Sequence, residues 1–475
     1  MDRGKNPDEQ SGLNLPGRAA TRNHSLSLSN VHSSVAVPHH RASFWEQWKA
    51  FVGPAILVSV GYMDPGNWGT DLQGGAQFKY ALLWVVGLAS LMAIFMQVIS
   101  ARLGVVTGKD LAQCCRDWYP AWTRWPNWLL SELAIGACDL AEVLGSAVAL
   151  NLLFHIPLFW AVVITSLDVL LLLGLQSFGM RTIEAIVLLL VATISVCYFI
   201  EIFVLPETHP SFFELGRALV TPHFRLPGMI YIAIGMIGAT VMPHNLYLHS
   251  ALVQSRKLQK DDDSIRRALQ FNTIDSTVAL TIAFFVNAAI LVLAALVFYG
   301  RSSLVVAGGH VVTISPDSDW IRVAYLTLAP LLGTAVASTL FAVALLAAGQ
   351  SSTITGTLAG QVVMEGFMHW RIQPWLRRVI TRVLAILPAV VIIGLRGDSS
   401  VTDLLTLSQV VLALQLPFAM FPLLQFTSSY ARMGRWKNGR FLLIAGWASA
   451  ILITSMDIYG LPESLKIAWR LIVGG

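Results

Sequence analysis

Charge is what this sequence has least of. Asp, Glu, Lys and Arg together make up 12% of the chain, about half of the roughly 25% usual in soluble domains. A water-facing surface around 475 residues cannot be built from so few charges, which excludes a soluble enzyme, a nucleic-acid binder and a disordered protein. Cysteine is scarce as well. Of the four present, Cys114 and Cys115 adjoin in a polar loop and Cys138 and Cys197 lie in apolar runs; no spacing matches a disulfide or zinc framework. Residues 1–43 lack any apolar stretch, so no cleaved signal peptide is expected, and this polar tail reads as mobile. Its His24, His32, His39 and His40 are irregularly spaced and read as solvated rather than as metal ligands.

Apolar residues fill the space left by charge, at 55% of the chain. They come in runs of about twenty, the length that crosses a bilayer. Eleven such segments follow the tail, near 51–78, 81–101, 128–154, 156–174, 183–204, 228–253, 273–299, 322–348, 379–395, 404–424 and 440–458. Helices repeat in this way because each satisfies its own backbone groups in lipid. The expectation is an all-α, polytopic membrane protein with eleven transmembrane helices. With the N-terminus inside, 24 of the 32 Lys and Arg fall in the tail and inner loops and 8 outside. The net charge of +5 is then a positive-inside signal and not a nucleic-acid patch, and the C-terminus lies outside.

Two segments carry matching interruptions. The first reads GYMDPGNWG (Gly61–Gly69) and the sixth GATVMPHNLYLHS (Gly238–Ser250). Each sets a proline mid-span with an asparagine two positions on: Pro65 with Asn67, Pro243 with Asn245. They head two blocks of five spans, so the second block enters from the opposite side, and interrupted helices in corresponding places of inverted halves point to a transporter's binding site. Proline has no N–H, so Pro65 is expected to free the carbonyl of Gly61, and Pro243 that of Ala239. A freed carbonyl in lipid is costly unless filled. A bound cation would fill it; so would a neighbouring helix patching a plain kink. Asp64 offers a charged oxygen, Asn67 a neutral one and Met242 a thioether, for which magnesium and calcium have little use. That set suits manganese, ferrous iron, cobalt or cadmium, although an isolated Met is usually a packing residue.

A charge at membrane depth costs upward of about 2.5 kcal/mol, which makes such residues functional candidates. Those counted mid-span are Asp64, Asp139, Glu142, Asp168 and His244, with no Lys or Arg among them, a balance that favours a cation path. Asp139 and Glu142, three apart, share a helix face, and a carboxylate pair in low dielectric tends to keep a proton. With His244 they read as a proton relay or as polar glue between helices. Asp168, beside Thr165 and Ser166, reads as structural. His249, five after His244, does not make the HExxH pattern of a zinc hydrolase.

At these residues the chain resembles the Nramp family of proton-coupled divalent metal transporters. The resemblance is carried by DPGN at Asp64–Asn67 and MPH at Met242–His244. It extends through DLAEVLGSAVALNLLF (Asp139–Phe154), RRVITR (Arg377–Arg382) and LSQVVLALQLPFA (Leu407–Ala419). It implies the leucine-transporter fold within a transporter domain at 44–475: inverted five-helix repeats at 51–204 and 228–424, plus an eleventh helix at 440–458. The implied metal ligands are Asp64, Asn67, Met242, the Ala239 carbonyl and the carbonyl of Gly61, where alanine is usual, completed by Gln409 ahead of Gln415. The implied proton route runs through Asp64, His244, Asp139 and Glu142 towards Arg256, Arg377 and Arg378. Trp68 and Asp71 depart from the commoner Phe-like and Asn residues. The implied activity is proton-coupled import of Mn2+ and Fe2+, and also Co2+ or Cd2+, by alternating access across a bacterial plasma membrane. No enzyme activity, cofactor, nucleic acid or obligatory protein partner is expected; metal ions, protons and the bilayer suffice.

Three rivals stand beside that reading. A sodium-coupled amino-acid carrier would present glycine-rich backbone at the first break, where Asp64 would repel a substrate carboxylate. A magnesium-selective relative would lack the Met242 sulfur. A membrane-bound metal sensor would need an output domain, for which the 17 residues after the last segment leave no room.

Overall fold

The computed structural model describes residues 35–37, 43–165, 167, 180–199, 210–224, 226, 228–259, 261–305, 311–313, 318, 320–331, 335–370, 372–396 and 401–473. His24, His32, His39, His40, Ser166 and Asp168 lie outside the described residues. Helix dominates. Two short ladders accompany it: β1 (Val35–Ala36) pairs in parallel with β2 (Arg256–Lys257), and β3 (Ser303–Val305) pairs antiparallel with β4 (Val311–Thr313).

Helix α1 (Phe44–Phe51) starts at a capping box, in which Ser43 Oγ accepts from Glu46 N–H at 3.3 Å and Glu46 Oε2 accepts from Ser43 N–H at 3.1 Å. The two bonds satisfy donors that a helix start leaves open. The first apolar segment then forms two helices, α2 (Pro54–Gly61) and α3 (Pro65–Phe78), separated by Tyr62–Asp64. Next come α4 (Leu83–Thr107), α5 (Leu111–Trp118), α6 (Arg124–Phe154), α7 (Leu158–Thr165), α8 (Met180–Phe199) and α9 (Phe212–Val220). The sixth segment is likewise split, into α10 (Met229–Val241) and α11 (Pro243–Leu252). The remainder is α12 (Asp262–Phe298), α13 (Trp320–Leu331), α14 (Ala335–Met368), α15 (Pro374–Arg396), α16 (Val401–Ser428), the short α17 (Tyr430–Met433) and α18 (Arg440–Val473).

Among the described residues seven helices are long and apolar enough to cross a membrane, within 83–107, 121–154, 229–255, 262–298, 338–368, 401–428 and 440–470. Of the other expected segments, the first is the broken α2–α3 pair, the fifth and ninth hold shorter apolar helices (Glu184–Cys197 and Val379–Leu395), and the fourth is described only in part. The eighth differs from expectation. Hydropathy ends it near 348, whereas α14 runs on to Met368. The stretch GQSSTITGTLAG (Gly349–Gly360) lowers the hydropathy, yet its hydroxyls bond back to their own helix, as from Ser351 to Ala347 O at 2.6 Å and Thr357 to Thr353 O at 2.8 Å, or reach Glu142. Polar side chains with partners inside the bundle cost little there.

The broken segments form the centre. The α10–α11 segment is 94% buried, whereas α18 is 28% buried and lies at the edge. Helix α3 packs on α12, α10 on α16, and α14 on α6. Phe285, Leu387, Ile451 and Leu465 are exposed on outer faces, where lipid takes the place of a protein partner.

Candidate functional site

Both breaks account for their carbonyls, though not in the way a single missing N–H implies. In the first, Val60 O accepts from Met63 N–H at 3.0 Å and Gly61 O from Asp64 N–H at 3.3 Å, so the Gly61 carbonyl closes a tight turn instead of standing open. Tyr62 O accepts from Asn287 Nδ2 at 2.8 Å, and Met63 O from the Trp68 indole at 3.2 Å. Trp68 thus satisfies a carbonyl of the break, which a phenylalanine has no donor to do. In the second break the Ala239 carbonyl has lost its helical donor, as expected, and accepts from Asn67 Nδ2 at 3.0 Å. Met242 itself has φ 43°, left-handed backbone that a long side chain adopts only under constraint.

Asp64 caps α3: its Oδ1 accepts from the Asn67 N–H at 2.8 Å and from Asn67 Nδ2 at 2.8 Å. The Asn67 amide nitrogen therefore bridges a carboxylate oxygen and the freed Ala239 carbonyl. On its other side, Asn67 Oδ1 accepts from Thr240 Oγ1 and from Asn287 Nδ2, both at 3.2 Å. The atom left over is Asp64 Oδ2, buried without a hydrogen-bond partner. Gly61 lies against the Met242 sulfur and the Asn245 amide; a Cβ there would come within 3.0 Å of Met242 Sδ and would collide with Asn245 Nδ2. The departure from alanine at Gly61 makes room for that amide. Gly66 lies directly against the Gln409 carboxamide, whose Oε1 is buried and unpartnered. Gln409 flanks the break. All six expected ligand residues meet at this one place. Among the described residues no three His, Cys, Asp or Glu side chains cluster as metal ligands; the donor atoms at this break are one carboxylate with neutral oxygens and a sulfur.

The expected relay divides. Glu142 Oε1 accepts from Ser352 Oγ at 2.9 Å and Oε2 from Thr353 Oγ1 at 3.0 Å. Asp139 shares that pocket: Gly356 of α14 lies against both carboxylates. His244 is buried beside the second break, with Nδ1 unpartnered. One expectation is overturned. Arg382, counted with an inner loop from the sequence, is 1% exposed within α15. Its guanidinium lies 3.7 Å from Glu142 Oε2 and donates to the Asp139 carbonyl at 3.3 Å and to Thr353 Oγ1 at 3.0 Å. The acid pair has a fixed positive charge beside it, against the expectation that no Lys or Arg stands among the mid-span charges. Arg377 pairs at 2.8 Å with Glu132, seven residues before Asp139 on α6, and so continues this face. The side chain of Arg378 lies outside the described residues. Arg256 is elsewhere: it bonds Glu184 at 2.9 Å and the carbonyls of Ala50 and Val52, at the foot of α2. Gly53 there has φ 134°, and a Cβ on it would run into the Glu184 carboxylate.

The profile of the family described as Nramp, "Natural resistance-associated macrophage protein-like", matches residues 55–463. The chain belongs to the Nramp family. Among curated relatives, the "Divalent metal cation transporter MntH" of Nostoc sp. is 50% identical over 440 residues, covering 92% of this chain and 96% of that one. The protein of the same description from Listeria innocua is 48% identical, covering 91% and 94%. Among solved structures, the Eremococcus coleocola manganese transporter in complex with an aromatic bis-isothiourea substituted compound superposes with a TM-score of 0.82 at 40% identity, covering 92% of this chain and 91% of that one. These relatives are named as transporters and not as enzymes. The chain is an integral membrane protein.

Proposed function

We propose that this Nramp protein imports divalent transition metal ions, Mn2+ and Fe2+ foremost and Co2+ or Cd2+ also, in symport with protons. The observation that carries the reading is Asp64 Oδ2, a carboxylate oxygen buried without a donor in the break to which Asn67, the Ala239 carbonyl, Gln409 and the Met242 sulfur also contribute. A buried anion without a partner is expensive, and a cation is the partner that relieves it. The Asn67 amide marks where the ion goes. Turning that amide over would replace its NH2 with Oδ1 beside Asp64 Oδ1 and the Ala239 carbonyl, bringing three oxygens to one point, and Met242 adds the soft donor. A magnesium-selective reading leaves that sulfur without a purpose.

Eleven spans, arranged as inverted repeats at 51–204 and 228–424 with 440–458 outside them, would carry the ion by alternating access. The N-terminus would be cytoplasmic and the C-terminus outside, in a bacterial plasma membrane. Protons would use a separate route from His244 to Asp139 and Glu142, with Arg382 holding the relay's charge near neutral and Arg377 marking the face beyond. In proteoliposomes, Mn2+ uptake is expected to rise when the outside is acidified relative to the inside, and Asp64→Ala is expected to abolish uptake in either condition. Normal transport by a folded Asp64→Ala protein would remove the site assignment; a rate indifferent to the pH gradient would remove proton coupling.

A further inference from the structure

Asp71 has no part in the site as described, yet it is 2% exposed. Its Oδ2 is shielded from solvent without a hydrogen-bond partner, and among the described residues no Lys or Arg pairs with it. It follows Asp64 by seven residues on α3. At about 1.5 Å and 100° per residue, this places it roughly 10 Å along the axis and within about 20° of the same face. Asn67, on that face between the two acids, touches Asn287 of α12, and Gly75, one turn beyond Asp71, lies against the Leu291 carbonyl and Ala294 of α12. Asp71 is therefore aligned with the α3–α12 seam about one turn from Asn287. Asn287 commits its Nδ2 to Tyr62 O and Asn67, and its Oδ1 is buried with no partner. Two acceptor oxygens on facing helices thus lack donors, in line with the unpartnered oxygen of Asp64. A structural network would supply N–H or O–H groups to them. A path for a cation would not.

We propose that Asp71, with the Asn287 amide oxygen about one turn away on the facing helix, is a second station for a divalent cation, passed on the outer approach to Asp64. The inference rests on the reading that Asp64 holds the transported ion and that α3 leads outward from it. A carboxylate at this distance raises the local cation concentration ahead of the main site. Its effect is on capture, not on the step that moves the ion inward.

The test is initial-rate 54Mn2+ uptake by the full chain in proteoliposomes, comparing Asp71→Asn and Asp71→Glu with the parent and with Asp64→Ala. Asp71→Asn keeps the shape and removes the charge. Its KM for Mn2+ is expected to rise about tenfold, the lower end of electrostatic focusing, with kcat changed less than about twofold. Its KM should also depend less on ionic strength, because the screened charge is gone. Asp71→Glu should recover most of the parent KM. An unchanged KM in a monodisperse Asp71→Asn protein, with Asp64→Ala inactive, overturns the station and leaves the main site standing. Equal loss of kcat in the Asn and Glu variants also overturns it, since that is the mark of a packing role. Should the amide fold poorly, Asp71→Ser makes the same comparison in less space.

Discussion

On the proposed reading, Met242 is the residue on which selectivity turns. Its backbone is held at φ 43°, its sulfur lies against Gly61 and accepts from Asn245 Nδ2 at 3.3 Å, and it is the soft atom of the proposed shell. Oxygen ligands alone serve calcium and magnesium as well as manganese. Met242→Ala is therefore expected to keep Mn2+ uptake and to lose discrimination, so that calcium competes at concentrations the parent ignores. A calcium series against a fixed Mn2+ concentration in proteoliposomes reads this directly; unchanged competition would assign Met242 to packing. Of this site, the identities were legible in DPGN and MPH, because proline at a fixed place in an apolar run has a definite backbone consequence. The bonding was not. Sequence implies that Gly61 and Ala239 lose their helical donors, but the turn at Asp64 and the amide of Asn67 that take up those carbonyls are tertiary facts.

At the scale of the element, close approach of helices sets the geometry of the breaks. Gly238 lies where α10 meets α16, and a Cβ on it would run into the Gln409 carbonyl and meet the Ala413 N–H at 2.7 Å. Small residues at such crossings let helices in a membrane bring backbone against backbone. The same contact holds Ala239 and Met242 of one element near Gln409 of the other. Gly238→Ala is expected to destabilise the protein by about 1–3 kcal/mol, as overpacking does, and to lower Mn2+ uptake by spreading the site. Thermal unfolding in detergent together with binding of Mn2+ checks both, and an unshifted midpoint would show that α16 can yield. Helix existence was largely readable from apolar length. Helix ends were not where polar residues face inward: Ser352 and Thr353 of α14 reach Glu142, and Arg382 of α15 lies beside the same carboxylate. Hydropathy averages residue types and is blind to which face they occupy, so it ends the eighth segment near 348 and starts the ninth near 379, five residues into α15.

The whole molecule adds a driving force that no single residue carries. On the proposed topology, with the basic residues inside and the site near mid-depth, transport has a divalent charge moving toward an inside-negative compartment. That is favourable by about 4.6 kcal/mol per 100 mV, twice the single-charge value. In the proposed mechanism Asp64 would neutralise half the ion's charge, and a relay at Asp139, Glu142 and Arg382 would offer protons a course on other helices, α6 and α15, from that of the metal between α3 and α10. In such a symport, potential and proton gradient both contribute to the driving force of one turnover. In proteoliposomes with a potassium diffusion potential, Mn2+ accumulation is therefore expected to increase on making the interior negative at zero pH gradient, and to increase again when the outside is acidified. Glu142→Gln, which keeps the hydrogen-bonding shape beside Ser352 and Thr353, is expected to retain the response to potential and lose the response to pH. Loss of both together would mean that metal and proton share one path through Asp64, and the division of labour between the two halves of the site would have to be abandoned.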